Sequence, residues 1–373
     1  MTRQLLLIGG GHSHVEVIRR FGAAPEPGVA VTLVSPDRHT AYSGMLPGHV
    51  AGHYTRAECH IDLDALCRAA GVRRIAGTAG SLDLKQRLAH CADGVEQRYD
   101  VLSIDAGSAP ALDAIPGARS HGLPLRPVAR FLEGWQALRA AAHGSGLRIT
   151  VVGSGAAGVE IALAMQHRLA LDDAPAQFAL IGTGSALLSG HARGVQRRFE
   201  RILRERGIAL RLGAPVARVE ADGLWLTDGQ RVAADTVVWA TGAAAPDWPH
   251  ASGLQTDADG FIAVDEHLQS LSHPGVFAAG DIASMSGASH PKSGVYAVRQ
   301  GPPLAENLRR ALRGESLLRY KPQARALALI STGDRYAVAS YGTFAVGGRW
   351  VWRWKDYIDR GFVARYHTAA DTI

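Results

Sequence analysis

Two glycine-rich turns and one late glycine–aspartate pair carry the chemistry of this sequence. Gly9-Gly10-Gly11-His12-Ser13-His14 follows the apolar run 5–8, and Gly153-Ser154-Gly155-Ala156-Ala157-Gly158 follows the apolar run 149–152. Glycine in such a turn lets the backbone pass close to a phosphate, and the helix that follows offers free N–H groups and the positive end of its dipole. The third signal is Val276-Phe277-Ala278-Ala279-Gly280-Asp281. Here a buried strand ends at a glycine that permits close approach, and a carboxylate that can accept hydroxyl protons from a polyol follows it. Together the three point to a chain that holds two dinucleotides at once, FAD at the first turn and a nicotinamide at the second.

The two turns depart from the usual fingerprint in different ways. In the first, Gly9 and Gly11 fit the phosphate roles, with His12 and Ser13 at the helix start beside the pyrophosphate. His14 stands where a third glycine normally allows close helix–strand packing, so that contact must be arranged differently. The following strand ends in Val34-Ser35, so Ser35 replaces the acid expected on a ribose. The second turn keeps Gly153, Gly155 and Gly158, with Ala156 and Glu160 beside them, and is the better fingerprint. Its next strand ends without an acid or arginine to choose between NADH and NADPH; Arg193, Arg197 and Arg198 on the next helix are the candidates to reach a 2′-phosphate. Gly107 and Gly242, each just past an apolar strand, are assigned to the cofactors as well. Pro291-Lys292-Ser293-Gly294 opens a helix whose positive end, with Lys292 and Ser293, would face the flavin and stabilise the charge that develops on hydride transfer. Lys292 is the one catalytic candidate.

The elements needed to position these groups can be read coarsely. The sequence predicts strand 5–8, helix 12–21 and strand 29–34, then a loop-rich stretch and a helix over 61–70. Alternating positions over 74–105 predict antiparallel strands. A helix over 124–142 leads to strand 147–152, helix 157–169 and strand 178–181. A basic amphipathic helix spans 193–207, strands follow over 208–227 and 236–241, and 274–279 returns to the first sheet. A long helix runs over 291–312, strands occupy 317–347, and an aromatic-rich segment at 350–366 closes the chain. The expected fold is α/β, with two Rossmann-like dinucleotide-binding domains. The FAD domain is discontinuous (1–115 and 243–316), the NAD(P) domain is inserted at 116–242, and a small C-terminal α+β region covers 317–373.

Composition sets outer bounds. The chain has 373 residues, 47% hydrophobic and only 6% aromatic, with 43 glycines, which suits short buried strands and close helix packing. No apolar stretch reaches the ~18 residues of a membrane span. The first strand starts within four residues of Met1, which leaves no room for a signal peptide, and a cytoplasmic location is expected. The net charge of +6 is concentrated late: residues 299–373 hold thirteen Lys/Arg and six Asp/Glu. Within them, Trp350-Val351-Trp352-Arg353-Trp354-Lys355-Asp356-Tyr357-Ile358 suits a peripheral contact at the inner face of a membrane, a surface element packed on the first domain, or a dimer contact. No nucleic-acid role is indicated. Cys59, Cys67 and Cys91 make no CxxC or CxxxxC redox pair, and His12, His14, His49, His53, Cys59 and His60 match no tetrahedral metal spacing.

These residues resemble the two-dinucleotide-binding flavoproteins of the pyridine nucleotide-disulfide oxidoreductase superfamily, near the type II NADH dehydrogenases. More narrowly, residues 10–16, Tyr42-Ser43-Gly44-Met45-Leu46-Pro47-Gly48, Pro291-Lys292-Ser293-Gly294-Val295 and Trp352-Arg353-Trp354-Lys355-Asp356 resemble the flavoprotein module found fused before selenide, water dikinase. The resemblance implies FAD at Gly9, Gly11 and Asp281, a nicotinamide at Gly153, Gly155 and Gly158, and an isoalloxazine flanked by Met45, Leu46, Pro47 and the helix after Lys292. The quinone-contacting glutamines of type II NADH dehydrogenases fall at Val295 and Arg299, which leaves only Gln300 and counts against quinone reduction. Three functions follow: an FAD-dependent NAD(P)H oxidoreductase with a quinone-like or selenium-related acceptor, a flavoprotein partner of a selenide kinase, and a non-catalytic FAD-binding scaffold.

Overall fold

The computed structural model describes residues 2–92, 94–142, 146–174, 176–288 and 291–367. Residues 368–373, the end of the expected C-terminal region, lie outside the described residues.

Leu5, Leu6, Leu7 and Ile8 are each at most 3% exposed, so this strand is covered on both faces and needs no polar alternation. It forms the middle of a parallel five-stranded sheet, ordered Val276–Ala278, Val101–Ile104, Arg3–Ile8, Val29–Ser35, Arg73–Ala76. A second parallel sheet repeats the plan in the order Gly122–Pro124, Thr236–Trp239, Leu147–Val152, Ala176–Ile181, Ile208–Arg211. In both sheets the central strand runs into a glycine turn and then a helix, His12–Ala23 in the first and Ala156–Leu171 in the second. The copies differ at one edge. The outer strand comes from late in the chain in the first sheet, and from just before the central strand in the second.

Antiparallel meanders decorate both sheets, at 79–98 and 216–233. A third meander, Ala328–Thr332, Asp334–Tyr341 and Phe344–Gly348, leads into the C-terminal helix Arg349–Val363. The aromatic segment is therefore helical. Val351, Lys355, Asp359, Phe362 and Val363 lie on its buried face, and Trp350, Trp354, Tyr357 and Ile358 point outward. Among the described residues no helix is long and apolar enough to cross a membrane.

Three sequence expectations need correction. The helix placed at 124–142 begins at Val128, because Gly122–Pro124 pairs as an edge strand of the second sheet. The helix placed at 61–70 begins at Leu63; the residues before it pair as His60–Asp62, and Asp62 caps the helix by accepting the Ala65 N–H at 2.9 Å. The long helix begins at Gly294 rather than Pro291, with Ser293 as its N-cap.

The second turn shows why its glycines are needed. A Cβ on Gly158 would lie 1.8 Å from the Gly153 carbonyl oxygen, whereas a Cβ on Gly155 would meet nothing within 4 Å. Gly158→Ala should therefore cost about 1–3 kcal/mol of stability by overpacking. Gly155→Ala should stay within about 0.5 kcal/mol. Urea denaturation of both variants checks the contrast, and equal midpoints would show that Gly158 is not needed for packing.

Candidate cofactor-binding site

In an open α/β sheet, ligands bind beyond the carboxyl ends of the strands, where the strand order reverses. In the first sheet that point lies between Arg3–Ile8 and Val101–Ile104. A cavity of about 310 Å³ opens there, and Gly9, Gly11, His12, Ser35, Gly107 and Asp281 line it. Six residues expected from the sequence are thus brought together from four separate stretches of chain.

At the floor of the cleft lies a residue whose role the sequence did not reveal. Gly11 caps the first helix without a side-chain bond. Instead Asp105, at the end of the neighbouring strand, accepts the backbone N–H of Ser13 at 2.8 Å and of His14 at 3.2 Å. A carboxylate there takes up unpaired N–H groups and meets the positive end of the helix dipole. It also dictates two glycines. A Cβ on Gly11 or on Gly280 would lie 2.3 Å from the Asp105 carboxyl group, and Gly280 has φ +70°. Burial raises the Asp105 pKa to about 7, against the pull of the His14 and Ser13 N–H groups. The only sequence signal was an acid at the end of an apolar strand, directly before Ala106-Gly107.

His14 explains the missing third glycine. Its ring is buried, with Nδ1 2.6 Å from the Gly9 carbonyl oxygen and Nε2 2.8 Å from Ser103 Oγ. The carbonyl can only accept, so Nδ1 carries the proton and Nε2 accepts from the serine hydroxyl. Burial lowers its pKa to about 4, so the ring is neutral at pH 7. Helix and strand are held by hydrogen bonds where a glycine would have brought them into contact. His12 is half-buried by area, and desolvation lowers its pKa to about 4, so it too is neutral. It bonds to the Ala41 backbone, but its Nε2 has no partner among the described residues. A buried orphaned nitrogen on the wall of the cleft fits a cofactor that supplies the missing hydrogen bond.

Asp281 is present but not free. Arg126, on the chain entering the second sheet, pairs with it and also donates to Ser108 Oγ at 2.6 Å. Arg126 lines the cleft and was also missed, since nothing in its local sequence distinguishes it from other surface arginines. Ser13 lies beside the cleft and ties two helices, its hydroxyl donating to the Ala297 carbonyl at 2.7 Å. The Gly280 N–H donates to Gln300 at 2.7 Å, so Gln300 holds the turn in place. Gly294, the first residue of the long helix, reaches the cleft, and Ser293 precedes it.

Lys292 does not line the cleft. Its ammonium donates to the Ala283 carbonyl and sits 3.8 Å from the Phe261 ring centroid, and burial lowers its pKa. It fastens the segment after Asp281 to the 257–261 turn. Met45, Leu46 and Pro47 are buried in the protein core and also lie outside the cleft lining. The loop that holds them is clamped from the C-terminal helix. Lys355 donates to the Gly44 carbonyl and to Asp359, both at 2.6 Å, and Phe362 stacks on Tyr42 at 4.4 Å.

At the second turn, Gly155 caps the helix with no side-chain bond and no acid in the first turn. Gly153 has φ +131° and lies against the Ala240 carbonyl, while Gly242 has open space around its Cα. Ala156 begins the helix there. Glu160, two residues past Gly158, reaches the C-terminal region. Its buried carboxylate accepts the backbone N–H of Ser331 at 2.7 Å and the Ser331 hydroxyl at 2.9 Å, and it ties the second unit to the C-terminal meander. Arg198 stacks on Tyr336 and donates to its hydroxyl, which commits it to the same meander. All three cysteines are buried and form no disulfide, and burial pushes the Cys59 and Cys67 thiols up to about 12.

Asp105 gives the cofactor-free fold a specific pH dependence. Between about pH 4 and 7 the carboxyl is ionised in the unfolded chain and protonated in the folded one. Folding then takes up a proton, so this group's contribution is full below about pH 4 and is lost as pH rises through about 7. Asp105→Asn removes the uptake. Melting temperatures of the cofactor-free proteins from acid to neutral pH should fall more steeply in the parent than in the variant. Parallel profiles would show that Asp105 is ionised throughout.

Residues 3–301 match the pyridine nucleotide-disulphide oxidoreductase family model. An NADH dehydrogenase-like protein of Mycobacterium tuberculosis is 29% identical over 235 residues, and the matched stretch spans 61% of this chain and 59% of that protein. An NADH dehydrogenase-like protein of Bacillus subtilis is 24% identical over 86% of this chain and 87% of its own. Among solved structures, the sulfide:quinone oxidoreductase of Aquifex aeolicus superposes with a TM-score of 0.84 at 17% identity, covering 98% of this chain and 91% of that one. NDH2 from Plasmodium falciparum in complex with NADH gives 0.79 at 13% identity, with 96% and 98% covered. At such identities the superpositions show a shared fold. With four fifths of its length under the family model and two strand–glycine-turn–helix units in its structure, the chain belongs to the pyridine nucleotide-disulphide oxidoreductase family.

Proposed function

We propose that the protein is an FAD-dependent oxidoreductase that takes hydride from NAD(P)H and passes the electrons to a further acceptor. The observation that carries this reading is the first cleft, where a glycine turn, the orphaned His12 nitrogen and the Asp281 carboxylate meet. In this reading residues 1–115 and 243–316 bind FAD, 116–242 bind the nicotinamide nucleotide, and 317–373 cover the loop beside the flavin. FAD supplies the hydride-accepting ring, and the protein supplies position and charge. Gly9 and Gly11 let the backbone approach the pyrophosphate, and Arg126 is the cation beside it. Asp281 accepts from the ribityl chain and Ser35 from the adenosine ribose. Gly153, Gly155 and Gly158 do for the second nucleotide what the first turn does for FAD.

The acceptor side has fewer residues behind it. Gln300 is committed to the Gly280 N–H, so a quinone would need other groups to recognise it. A selenium-related acceptor and a selenide kinase partner rest on the resemblance of short segments alone. Reoxidation of the reduced protein by quinones, oxygen, disulfides and selenium compounds separates them. A peripheral membrane contact is favoured by one observation. The outward face of the C-terminal helix carries Trp350, Trp354, Tyr357 and Ile358, and Tyr357 is 79% exposed. Such an aromatic face beside cationic residues suits a bilayer interface.

Anaerobic mixing with NADH or NADPH should bleach the flavin absorbance. Gly155→Val, which fills the open space at the second turn, should keep FAD and slow this reduction. A flavin that neither nucleotide reduces would leave the scaffold reading instead. Asp281→Ala should weaken FAD binding by about ten- to a hundredfold, the worth of one charged hydrogen bond. Fluorescence titration of the cofactor-free protein measures this, and an unchanged affinity would remove Asp281 from the site.

A further inference from the structure

We propose that a second cavity, between the far end of the Ala156–Leu171 helix and the C-terminal helix, binds a phosphate group carried by a small organic molecule or by a lipid headgroup. This cavity holds about 490 Å³. Leu171 in its wall is the last residue of a 16-residue helix whose first turn is the nicotinamide loop. At about 1.5 Å per residue the cavity is therefore about 24 Å from that loop along the helix axis. It is separate from both dinucleotide turns.

Its walls are cationic. Arg335, Arg349 and Arg353 all face the cavity. None of the three has a carboxylate partner among the described residues, although a guanidinium fork is well suited to pairing with one. The acids nearby are already taken. Asp334 pairs with Arg206 at 2.9 Å, and Asp356 with Arg360 at 2.8 Å. Arg349 and Arg353 are four apart on one helix, a like-charge spacing that repels unless an anion lies between them. The same guanidinium fork matches the geometry of phosphate oxygens.

The floor of the cavity is built before any ligand arrives. Trp352 lies parallel to Tyr54 at 6.5 Å, His53 meets its edge at 5.4 Å, and Arg335 sits 5.6 Å from its ring centroid. His53 is fixed in turn, with its Nε2 donating to the Gly333 carbonyl at 2.8 Å. His167 faces it at 5.7 Å and completes the polar side. Trp352 with His53 and His167, beside three guanidinium groups without carboxylate partners among the described residues, suits an anionic headgroup with an organic body. A free phosphate ester and an anionic lipid offer the same group. The exposed Trp350 and Trp354 beside Arg349 and Arg353 make the lipid source physically accessible.

The test uses the full-length, flavin-loaded protein and two probes. Calorimetry measures glycerol 3-phosphate. Flotation compares vesicles of phosphatidylcholine alone with vesicles that also contain phosphatidic acid. The double variant Arg349→Gln, Arg353→Gln should weaken binding by about a hundredfold, roughly tenfold for each charge-assisted hydrogen bond removed. Arg335→Gln serves as an independent variant. Flavin absorbance and reduction by NAD(P)H should not change, since none of the three touches the cofactor cleft. Saturable, arginine-dependent heat with glycerol 3-phosphate identifies a free phosphate ester. Arginine-dependent binding to phosphatidic acid vesicles alone identifies the lipid. If neither probe binds, or if the variants bind as the parent does, the proposal is wrong.

Discussion

The bond between the Asp105 carboxyl group and the start of the first helix is the constraint around which the cleft is built. Four segments meet at that carboxyl group: the glycine turn, the first helix, the neighbouring strand and the late Gly280-Asp281 turn. Because it fills the space next to the Gly11 and Gly280 Cα atoms, neither position tolerates a side chain. Because it takes the Ser13 and His14 N–H groups, the helix is capped from a strand far away in sequence. That cap ties the helix to the central sheet before any cofactor is present. Burial raises the pKa of this carboxyl group, which lessens the negative charge it carries near neutral pH. The Arg126–Asp281 pair adds a balanced charge to the cleft lining.

The C-terminal region acts as a clamp on this framework. Its helix presents Lys355 and Phe362 to the loop at 42–48, and its meander presents Ser331 to Glu160. The first contact fixes the loop at 42–48, and the second fixes the Ala156–Leu171 helix. One small region therefore touches both units, through a buried ion pair and a buried carboxylate whose hydrogen bonds are satisfied. The burial of Lys355 against Asp359 costs desolvation that only good geometry offsets, and the 2.6 Å contacts to Asp359 and Gly44 provide that geometry. The opposite face of the same helix is aromatic and cationic and is turned away from the core. Its two faces thus serve different ends, one holding the protein together and one directed outward.

The two glycine turns have the same topology but are not equivalent. The first is closed by Asp105 and His14 and opens only toward the cleft. The second has no capping side chain and open space at Gly155. A permanently bound cofactor suits the first arrangement, and a nucleotide that exchanges on every turnover suits the second. The asymmetry follows from His14 at the end of the first turn and from Asp105 and Ser103 on the neighbouring strand.

Much of this was legible in the sequence because it depends on local order. Apolar runs followed by glycine turns marked both parallel sheets, since a strand buried on both faces must be apolar and the backbone packed against the turns leaves no room for a Cβ at Gly9 or Gly158. The Gly280-Asp281 pair marked the return to the first sheet for the same reason. What the sequence could not show were partnerships set by convergence. Asp105 and the Ser13 N–H, Arg126 and Asp281, Ser331 and Glu160, and Lys355 and the Gly44 carbonyl lie far apart in sequence, and no local pattern pairs them. Lys292 and Glu160 carried the right chemistry beside the right motifs. In the folded chain Lys292 meets a carbonyl and an aromatic ring, and Glu160 meets a strand of the C-terminal region. A side chain's role is decided by which surfaces packing brings within about 3 Å of it. Sequence determined the scaffold and the turns, and only the folded chain decided which charged groups face the cleft.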